Sequence, residues 1–427
     1  MSAPAEVKGW CPGALRPMLS GDGYLVRLRI RGGVASAAAA RAIASCAQEF
    51  GNGLIDLSAR ANLQLRGVQE ASLQPLIEAL RAHRLIDESA EAESVRNVLA
   101  SPLAGVGDDA AFDVSAHVRA LEQRLVSDVA LHALPSKFGF IIDDDGPLSL
   151  STVSADIRFL ALREAGAQRF EVRLAGCEAA AVVDACALAD VAAGLARAFV
   201  EQARTCDPPP RRMAGLVAAK GAAAIWRAAG LAPLPREAKP SPPPQPLGHH
   251  TCGASGWLGL GFAFGRLGAC DLTWLADMAQ RHGARELRLT PWRAVLLPGV
   301  DAQAAQEILA QADARIIIDP SDARLAVIAC PGAPACASAE APTQEDALAL
   351  APLARALAPA GVALHVSGCA KGCARPAPTP VTLTARAGLY DLIAAGRACD
   401  AAALSGLDLD ACRAALRAMA SSEGVRP

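Results

Sequence analysis

The sequence predicts an α+β protein in which one structural unit is used twice. Two segments in opposite halves of the chain share a pattern, and a proline-rich stretch lies between them. Apolar runs of strand length also alternate with Ala-rich stretches of helix length. With 427 residues the chain is long enough for two or three domains with substantial cores.

The repeat is clearest where residues 46–68 align with residues 278–300 without a gap. The identical pairs include Ala47/Ala279, Gln48/Gln280, Gly51/Gly283, Leu57/Leu289, Gly67/Gly299 and Val68/Val300. Each copy predicts an Ala-rich helix ending at a Gly, then two short strands around a turn. A strand candidate precedes each helix, at 23–30 and 256–264, and a second helix follows near 71–83 and 302–312.

This order of elements is that of a ferredoxin-like half-domain, predicted at 10–85 and again at 251–318. We expect the two copies to form one central domain. A linker is predicted at 231–250, where prolines favour extended chain over helix. The remaining segments, 90–230 and 320–425, predict two α/β domains that also resemble each other. "RNVLASP" (96–102) matches "LAVIACP" (325–331), and "LPSKFGF" (134–140) is aligned with "HVSGCAK" (365–371).

Four of the 13 cysteines have ligand-like spacing. Cys330 and Cys336 follow one apolar strand candidate, and Cys369 and Cys373 follow another, in a C-x5-C and C-x3-C pattern. Tetrahedral zinc prefers tighter pairs, whereas a four-iron cluster has separated corners that suit wider loops. We therefore expect an iron–sulfur cluster, with zinc, free thiols or a disulfide as the alternatives.

Composition excludes several classes of partner. A formal net charge of −2 gives no reason to expect nucleic acid or an anionic membrane. No apolar run reaches the 18 residues of a membrane span, and the N-terminus lacks the pattern of a signal peptide. We expect a cytoplasmic protein.

The cysteine spacing, the duplicated unit and several basic motifs together resemble the nitrite and sulfite reductase superfamily. The resemblance covers nearly the whole chain, and it implies a duplicated nitrite/sulfite reductase-like architecture with a [4Fe-4S] cluster on the four cysteines. It also implies a tetrapyrrole pocket to which Arg60 in "SARANLQLR", Arg96 in "RNVLASP" and Lys137 in "LPSKFGF" contribute. The second lysine of the superfamily's Lys-Phe-Lys pattern is replaced by Gly139.

The other tetrapyrrole-binding candidates lie in the same segment as Arg60. Arg66 can pair with a carboxylate, although a solvated charge at a strand end is the simpler interpretation of that residue alone. Asn62 and Gln64 can supply neutral donors.

Within the superfamily, the motifs look closest to a branch of aerobic cobalamin biosynthesis that uses the pocket for a metal-free substrate. This resemblance implies a monooxygenase that takes precorrin-3A and O2, with electrons from an external donor or an NADH-dependent reductase. It also suggests a mononuclear non-haem iron, for which the sequence shows no ligand set. His249 and His250 are the most ligand-like pair, but a surface loop is the simpler interpretation. No catalytic residue is assigned.

Two other functions remain open at the level of sequence. One is a sulfite or nitrite reductase that holds siroheme as a cofactor. The other is a non-catalytic protein that carries an iron–sulfur cluster or a tetrapyrrole. Gly139 in place of a lysine favours the oxygenase, because an anion reductase needs dense positive charge over its metal.

Overall fold

The computed structural model describes residues 11–164, 166–237, 241–252, 255–358 and 361–423. The first half-domain contains β1 Met18–Ser20, β2 Gly23–Leu28, β3 Val34–Ser36, α1 Ala37–Phe50, β4 Leu54–Leu57, β5 Leu63–Val68 and α2 Glu70–Ala82. The following α/β domain contains α3 Ala90–Val95, β6 Val98–Ala100, α4 Ser115–Ser127, β7 Phe140–Asp143, β8 Ile157–Ala161, β9 Arg169–Leu174, β10 Ala179–Asp184, α5 Leu188–Ala203, α6 Met213–Lys220, α7 Ala223–Ala228 and β11 Leu234–Pro235.

The second half of the chain repeats this order. Its half-domain contains β12 Gly248–Cys252, β13 Ser255–Phe262, β14 Arg266–Gly268, α8 Ala269–Arg281, β15 Glu286–Leu289, β16 Ala294–Pro298, α9 Ala302–Leu309 and β17 Ile316–Ile317. The last domain contains β18 Val327–Ala329, α10 Thr343–Leu357, β19 Leu364–Ser367, β20 Thr379–Arg386, β21 Leu389–Gly396, β22 Leu404–Leu407 and α11 Leu409–Glu423. The duplicated ferredoxin-like half-domains predicted from the sequence are confirmed.

The two half-domains exchange a strand and so form one central body. Their sheets run β1-β2-β5-β4-β14 and β12-β13-β16-β15-β3, so each copy's short strand before its first helix joins the other copy's sheet. One apolar core runs through both copies and includes Val26 and Leu65 from the first with Leu258 and Leu287 from the second. Removal of this shared apolar surface from water is the main force that holds the halves together.

The helices α1 and α8 pack against each other across this core. Both are rich in Ala, whose small side chain lets two helices approach closely and costs no side-chain entropy. Ser36 begins α1 by accepting a hydrogen bond from the Ala39 N–H at 3.1 Å. Arg41 on α1 pairs with Asp277 on α8 at 2.9 Å.

The two α/β domains share one topology. In each, three strands run parallel and the following strands are antiparallel: β6-β7-β8-β9-β10-β11 in the first and β18-β19-β20-β21-β22 in the second. β7 therefore corresponds to β19, which makes the predicted alignment of 134–140 with 365–371 wrong. Residues 134–139 precede β7, whereas the second cysteine loop follows β19.

The same comparison shows what the first domain has in place of cysteines. Ser101 follows β6 directly, as Cys330 follows β18, and Asp145 lies two residues beyond β7, as Cys369 lies two residues beyond β19. The equivalent sheet edge thus carries hydroxyl and carboxyl groups in the first copy and thiols in the second.

Candidate functional site

The cysteine loops lie at one edge of the β18–β19 pair. These strands are parallel, with Val327 beside Leu364 and Ala329 beside Val366, so the loops that leave their carboxyl ends start next to each other. Cys330 is buried, Cys336 and Cys369 are half-buried and Cys373 is exposed.

The four thiols are electrostatic neighbours. Burial is the main cause that raises the pKa of Cys373, and the charges of Cys369, Cys330 and Cys336 raise it further, while Lys371 lowers it. We call residues 330–336 and 368–373 the cluster loops.

The donor set, four cysteine thiols on two adjacent loops, is of the kind that holds an iron–sulfur cluster. In the described part of the chain, no three His, Cys, Asp or Glu side chains converge closely enough to hold one metal ion. A four-iron cube instead takes one thiolate at each of several separated corners. The Gly368 N–H donates to Cys330 Sγ at 3.2 Å, and a Cβ at Gly368 would lie 2.6 Å from the Ala339 Cβ. Such backbone donors to sulfur are characteristic of cluster sites.

The first half-domain holds the first cluster loop in place. The Ala335 carbonyl accepts hydrogen bonds from the Ser20 hydroxyl at 2.6 Å, the Gly21 N–H at 3.2 Å and Arg66 Nη2 at 2.7 Å. Arg66 is 2% exposed and also pairs with Asp22 at 2.8 Å. Its guanidinium is thus committed to protein partners and positions a cluster loop.

Arg96 is also held by protein carboxylates. It pairs with Asp87 at 2.7 Å and with Glu122 at 3.3 Å, and its Nη2 donates to the Arg29 carbonyl at 2.7 Å. Burial lowers the pKa of Arg96, but hydrogen bonds and charge from Asp87, followed by Glu122, outweigh it and raise the pKa. Arg96 therefore fixes the backbone at Arg29.

A small basic cleft lies between the first half-domain and the first α/β domain. Its polar lining residues are Arg29, Arg60, Asn62, Arg96, Asn97 and Ser154, and Gly139 also lines it. Three of the six residues predicted to bind a tetrapyrrole, Arg60, Asn62 and Arg96, thus meet here. Arg29 also lines two adjacent clefts.

Arg29 makes no ion pair with another described residue of the cleft. It is 6% exposed, and its Nε has no hydrogen-bond partner among the described residues. Burial, followed by the charge of Arg27, lowers the pKa of Arg29 to about 10. A buried guanidinium with an unsatisfied donor is unfavourable alone and is stabilised by an anion.

Gly139 makes room for Arg60. A Cβ at position 139 would lie 2.8 Å from Arg60 Nη1 and 3.0 Å from Asn97 Nδ2, closer than side-chain atoms pack. In the space so left, Arg60 Nη2 donates to the Lys137 carbonyl at 3.2 Å. Burial is the main cause that lowers the pKa of Arg60, and the nearby charge of Arg212 acts in the same direction.

The other two predicted residues lie around the cleft. Gln64 accepts hydrogen bonds from Arg27 at 2.8 and 3.2 Å, so it orients a basic side chain. Lys137 is exposed, and the hydrogen bond that links it to the cleft uses its backbone carbonyl.

Arg27 and Arg29 were not among the predicted site residues, although the sequence contains a signal for them. Arg27, Arg29 and Arg31 alternate with apolar residues along "VRLRIR". Alternate residues of a strand point to the same face, so this pattern puts the three arginines on one side. The structure places Val26 and Leu28 in the core and Arg29 in the cleft.

The histidine pair lies in a strand rather than in the predicted surface loop. β12 includes His249 and His250, and their Nε2 atoms contact the carbonyls of Val300 at 3.1 Å and Leu247 at 2.8 Å. His250 also stacks on Trp257, with ring centroids 4.0 Å apart. Within the described residues, no helix is long and apolar enough to cross a membrane.

Comparison with known proteins gives concordant matches. The family model for the nitrite/sulfite reductase ferredoxin-like half domain matches residues 16–83 and 253–315. A precorrin-3B synthase from Sinorhizobium sp is 33% identical over 403 residues, which is 92% of this chain and 83% of the relative. The ferredoxin–nitrite reductase of Synechococcus elongatus is 27% identical over 388 residues, covering 84% of this chain and 76% of the reductase. The solved structure of Mycobacterium tuberculosis NirA aligns with a TM-score of 0.71 at 22% identity, over 85% of this chain and 71% of that one.

Proposed function

This chain belongs to the nitrite/sulfite reductase superfamily and, within it, to the precorrin-3B synthase family, and from that premise we propose its reaction. The protein is an oxidoreductase that hydroxylates precorrin-3A with O2 and forms a γ-lactone on it, as a step of aerobic cobalamin biosynthesis. One oxygen atom of O2 becomes the hydroxyl on the carbon between rings A and D, and the ring-A acetate closes the lactone. The second oxygen atom leaves as water, with two protons and two electrons from a donor.

The structural observation that carries this proposal is the contact between Gly139 and Arg60. An anion reductase needs several cations gathered over its metal, and position 139 supplies none. Arg60 instead lies across the space of a side chain at 139, with its Nη1 2.8 Å from the position of a Cβ there. This arrangement suits the carboxylates of a macrocyclic substrate.

Arginine recognises a carboxylate with two parallel hydrogen bonds, each charge-assisted bond contributing about 1.5–3 kcal/mol. Arg29 and Arg60 are the cleft's candidates for this contact, and Asn62 adds a neutral donor. We assign Arg96, Arg66 and Gln64 a positioning role, because protein groups already occupy their hydrogen-bonding atoms. We propose that Lys137, which is exposed, binds a carboxylate from the solvent side.

We propose a [4Fe-4S] cluster held by Cys330, Cys336, Cys369 and Cys373. Ground-state O2 reacts poorly with closed-shell carbon, and a metal group that passes single electrons supplies this chemistry when it is bound. A separate mononuclear non-haem iron is part of the proposal, although the described residues hold no converging ligand set for it. The chain's own contribution is to hold the substrate carboxylates, orient the macrocycle and keep water from the buried face of the cleft.

The proposed partners are precorrin-3A, O2 and an external electron donor or NADH-dependent reductase, in the cytoplasm. The competing function is a siroheme-dependent sulfite or nitrite reductase, favoured by the ferredoxin–nitrite reductase matches along most of the chain. A non-catalytic carrier of a cluster would leave the basic cleft without a role, and a carrier of a tetrapyrrole would use the cleft for binding alone.

The protein purified without oxygen distinguishes these functions. We expect iron and sulfide near four of each per chain and the EPR signal of a reduced cluster, with no siroheme absorption band. A siroheme band coupled to the cluster, together with reduction of sulfite or nitrite, would establish the reductase instead. A protein that retains precorrin but leaves it unchanged with O2 and an electron donor would be a carrier.

A further inference from the structure

A cysteine outside the cluster loops lies in one of the two further clefts that Arg29 lines. Cys11 is half-buried there, and the residues around it, which define the Cys11 cleft, include Arg16, Arg29, Glu93, His132 and Arg211. Arg29 is 6% exposed, and its Nε has no hydrogen-bond partner among the described residues. The Cys11 cleft thus combines a thiol with a buried guanidinium that has an unsatisfied donor.

Hydrogen bonds hold the segment that carries Cys11 against the strand that leads to Arg29. The Gly13 carbonyl accepts a hydrogen bond from the Arg27 N–H at 3.2 Å. The buried carboxylate of Glu93 accepts hydrogen bonds from the N–H groups of the next two residues, at 2.7 and 3.1 Å. The backbone two residues after Cys11 is therefore fixed beside β2, from which Arg27 projects and after which Arg29 follows.

The positive charge beside the thiol is only partly balanced. Arg27 donates from Nε and Nη2 to the neutral Gln64 side chain, and within the described residues neither Arg27 nor Arg29 forms an ion pair. The Glu93 carboxylate is near both arginines, but it already accepts two backbone hydrogen bonds. Burial lowers the pKa of Arg27, whereas the charge of Cys11 and its hydrogen bond with Arg27 raise it. An anion that enters the Cys11 cleft can therefore gain a charge-assisted hydrogen bond from Arg29.

Other cysteines have different surroundings. Cys46 and Cys412 are buried in the cores, and burial is the main cause that raises the pKa of both, to about 11 for Cys412. Cys399 is exposed, but its Sγ lies 3.9 Å from a carboxylate oxygen of Asp400. A carboxylate repels an anionic reagent, whereas guanidinium groups raise its local concentration. Cys399 is therefore the natural internal comparison for Cys11.

We propose that Cys11 is a modification site, at which the thiol takes an anionic low-molecular-weight disulfide by thiol–disulfide exchange while Arg29 binds a carboxylate of the incoming molecule. The Cys11 thiolate attacks one sulfur of the disulfide, and a new S–S bond forms as the old one breaks. The other half leaves with the electron pair of the broken bond and takes up the proton that Cys11 released. No further oxidant is needed, and a dithiol reverses the step.

The modification also has a consequence for the basic cleft, which rests on the proposed function. Arg29 lines both the Cys11 cleft and the basic cleft. A carboxylate that Cys11 holds covalently beside Arg29 competes with a substrate carboxylate for the same guanidinium. Modification of Cys11 should therefore weaken binding of the tetrapyrrole.

The test compares glutathione disulfide, which is anionic, with hydroxyethyl disulfide, which is uncharged, on the anaerobically purified protein with its cluster intact. Mass spectrometry of peptides follows the mixed disulfide at Cys11 and at Cys399. We expect the ratio of the rates, glutathione disulfide over hydroxyethyl disulfide, to be at least about tenfold higher at Cys11 than at Cys399. Arg29→Gln should lower the ratio at Cys11 towards that at Cys399, and Arg413→Gln, which breaks a surface pair with Asp410, should leave it unchanged.

Equal ratios at Cys11 and Cys399 in the wild type would overturn the site without the need for any variant. Binding of precorrin-3A is then measured before and after modification and again after a dithiol, with iron and sulfide counted in each sample. We expect the Kd to rise at least about tenfold on modification and to recover with the dithiol, and to stay constant in Cys11→Ser. An unchanged Kd in fully modified protein would overturn the shared use of Arg29. Failure of the unmodified protein to bind precorrin-3A would overturn the proposed function and leave the modification site standing.

Discussion

At the scale of single residues, the position of the Arg60 guanidinium in the basic cleft depends on the absence of a side chain at Gly139. Arg60 reaches the Lys137 carbonyl because Gly139 leaves the path open. Arg29 faces the same cleft, and Arg96 holds its backbone from behind. The conformation of one guanidinium is thus set by a glycine 79 residues away in the sequence.

Gly139→Ala tests this dependence. The new Cβ would lie 2.8 Å from Arg60 Nη1, so the guanidinium must move and its contact with a substrate carboxylate weakens. We expect the Kd for precorrin-3A to rise about tenfold, with the cluster content unchanged. The Kd is measured anaerobically beside Gly194→Ala, in which the new Cβ meets the Ala229 Cα and Cβ at an ordinary 3.8 Å. Equal affinity in the two variants would show that Arg60 does not need the space.

The buried carboxyl of Asp144 should make the free energy of unfolding depend on pH. Burial raises the pKa of Asp144 from 3.8 to about 6, against the hydrogen bonds of Ser101 and Gly146, and its Oδ2 has no described partner. Between about pH 4 and 6 the folded protein therefore holds a proton that the unfolded chain has released. Stability contributed by that proton falls as pH rises through this window, by about 3 kcal/mol in all.

Asp144→Asn should remove this dependence, because the amide keeps the neutral form at every pH. Urea unfolding at pH 5 and pH 7.5 measures it, with the exposed Asp190→Asn as control. We expect the wild type and the control to lose more free energy of unfolding than Asp144→Asn between the two pH values. The same loss in all three proteins would contradict the raised pKa.

At the scale of secondary-structure elements, β5 and the β1–β2 turn act as a clamp on the first cluster loop. Ser20, Gly21 and Arg66 all donate to the Ala335 carbonyl. The position of Cys330 and Cys336 therefore depends on the first half-domain as well as on the β18–β22 sheet of the last domain. These hydrogen bonds link the first half-domain, which lines the basic cleft, to the last domain, which carries the four cysteines.

Arg66→Gln removes the cation at the centre of the clamp. Asp22 then loses its partner and the Ala335 carbonyl loses its shortest N–H donor, a change that costs about 3 kcal/mol for a buried pair. We expect less iron and sulfide per chain and faster bleaching of the cluster in air. Arg16→Gln, which breaks an exposed pair with Glu91, should cost less than about 1 kcal/mol and leave the cluster intact. Equal cluster content in both variants would show that the clamp does not support the loop.

At the scale of the whole molecule, the repeat and the cysteine loops were predictable because their signals are local. A helix with its flanking strands recurs at constant spacing, and two cysteines within each loop are visible in a few residues. The role of Arg66 was not predictable, because its partner Ala335 lies 269 residues away. The exchange of β3 and β14 between sheets also depends on contacts between the two halves. Arg29 is an intermediate case. The alternation along its strand predicts the face on which its side chain lies, but not that its Nε has no hydrogen-bond partner among the described residues.

The duplicated architecture carries different chemistry in its two halves. The first copy and its α/β domain supply the basic cleft, and the second copy's α/β domain supplies the cysteine loops.

The most direct test of this account is the mass of the product formed from precorrin-3A under ¹⁸O2 by the anaerobically purified protein with an electron donor. We predict a product that gains one oxygen atom, carries the heavy isotope as its hydroxyl and contains a γ-lactone. Unchanged precorrin-3A from a protein whose cluster is intact, or a product whose added oxygen comes from water, would contradict the account.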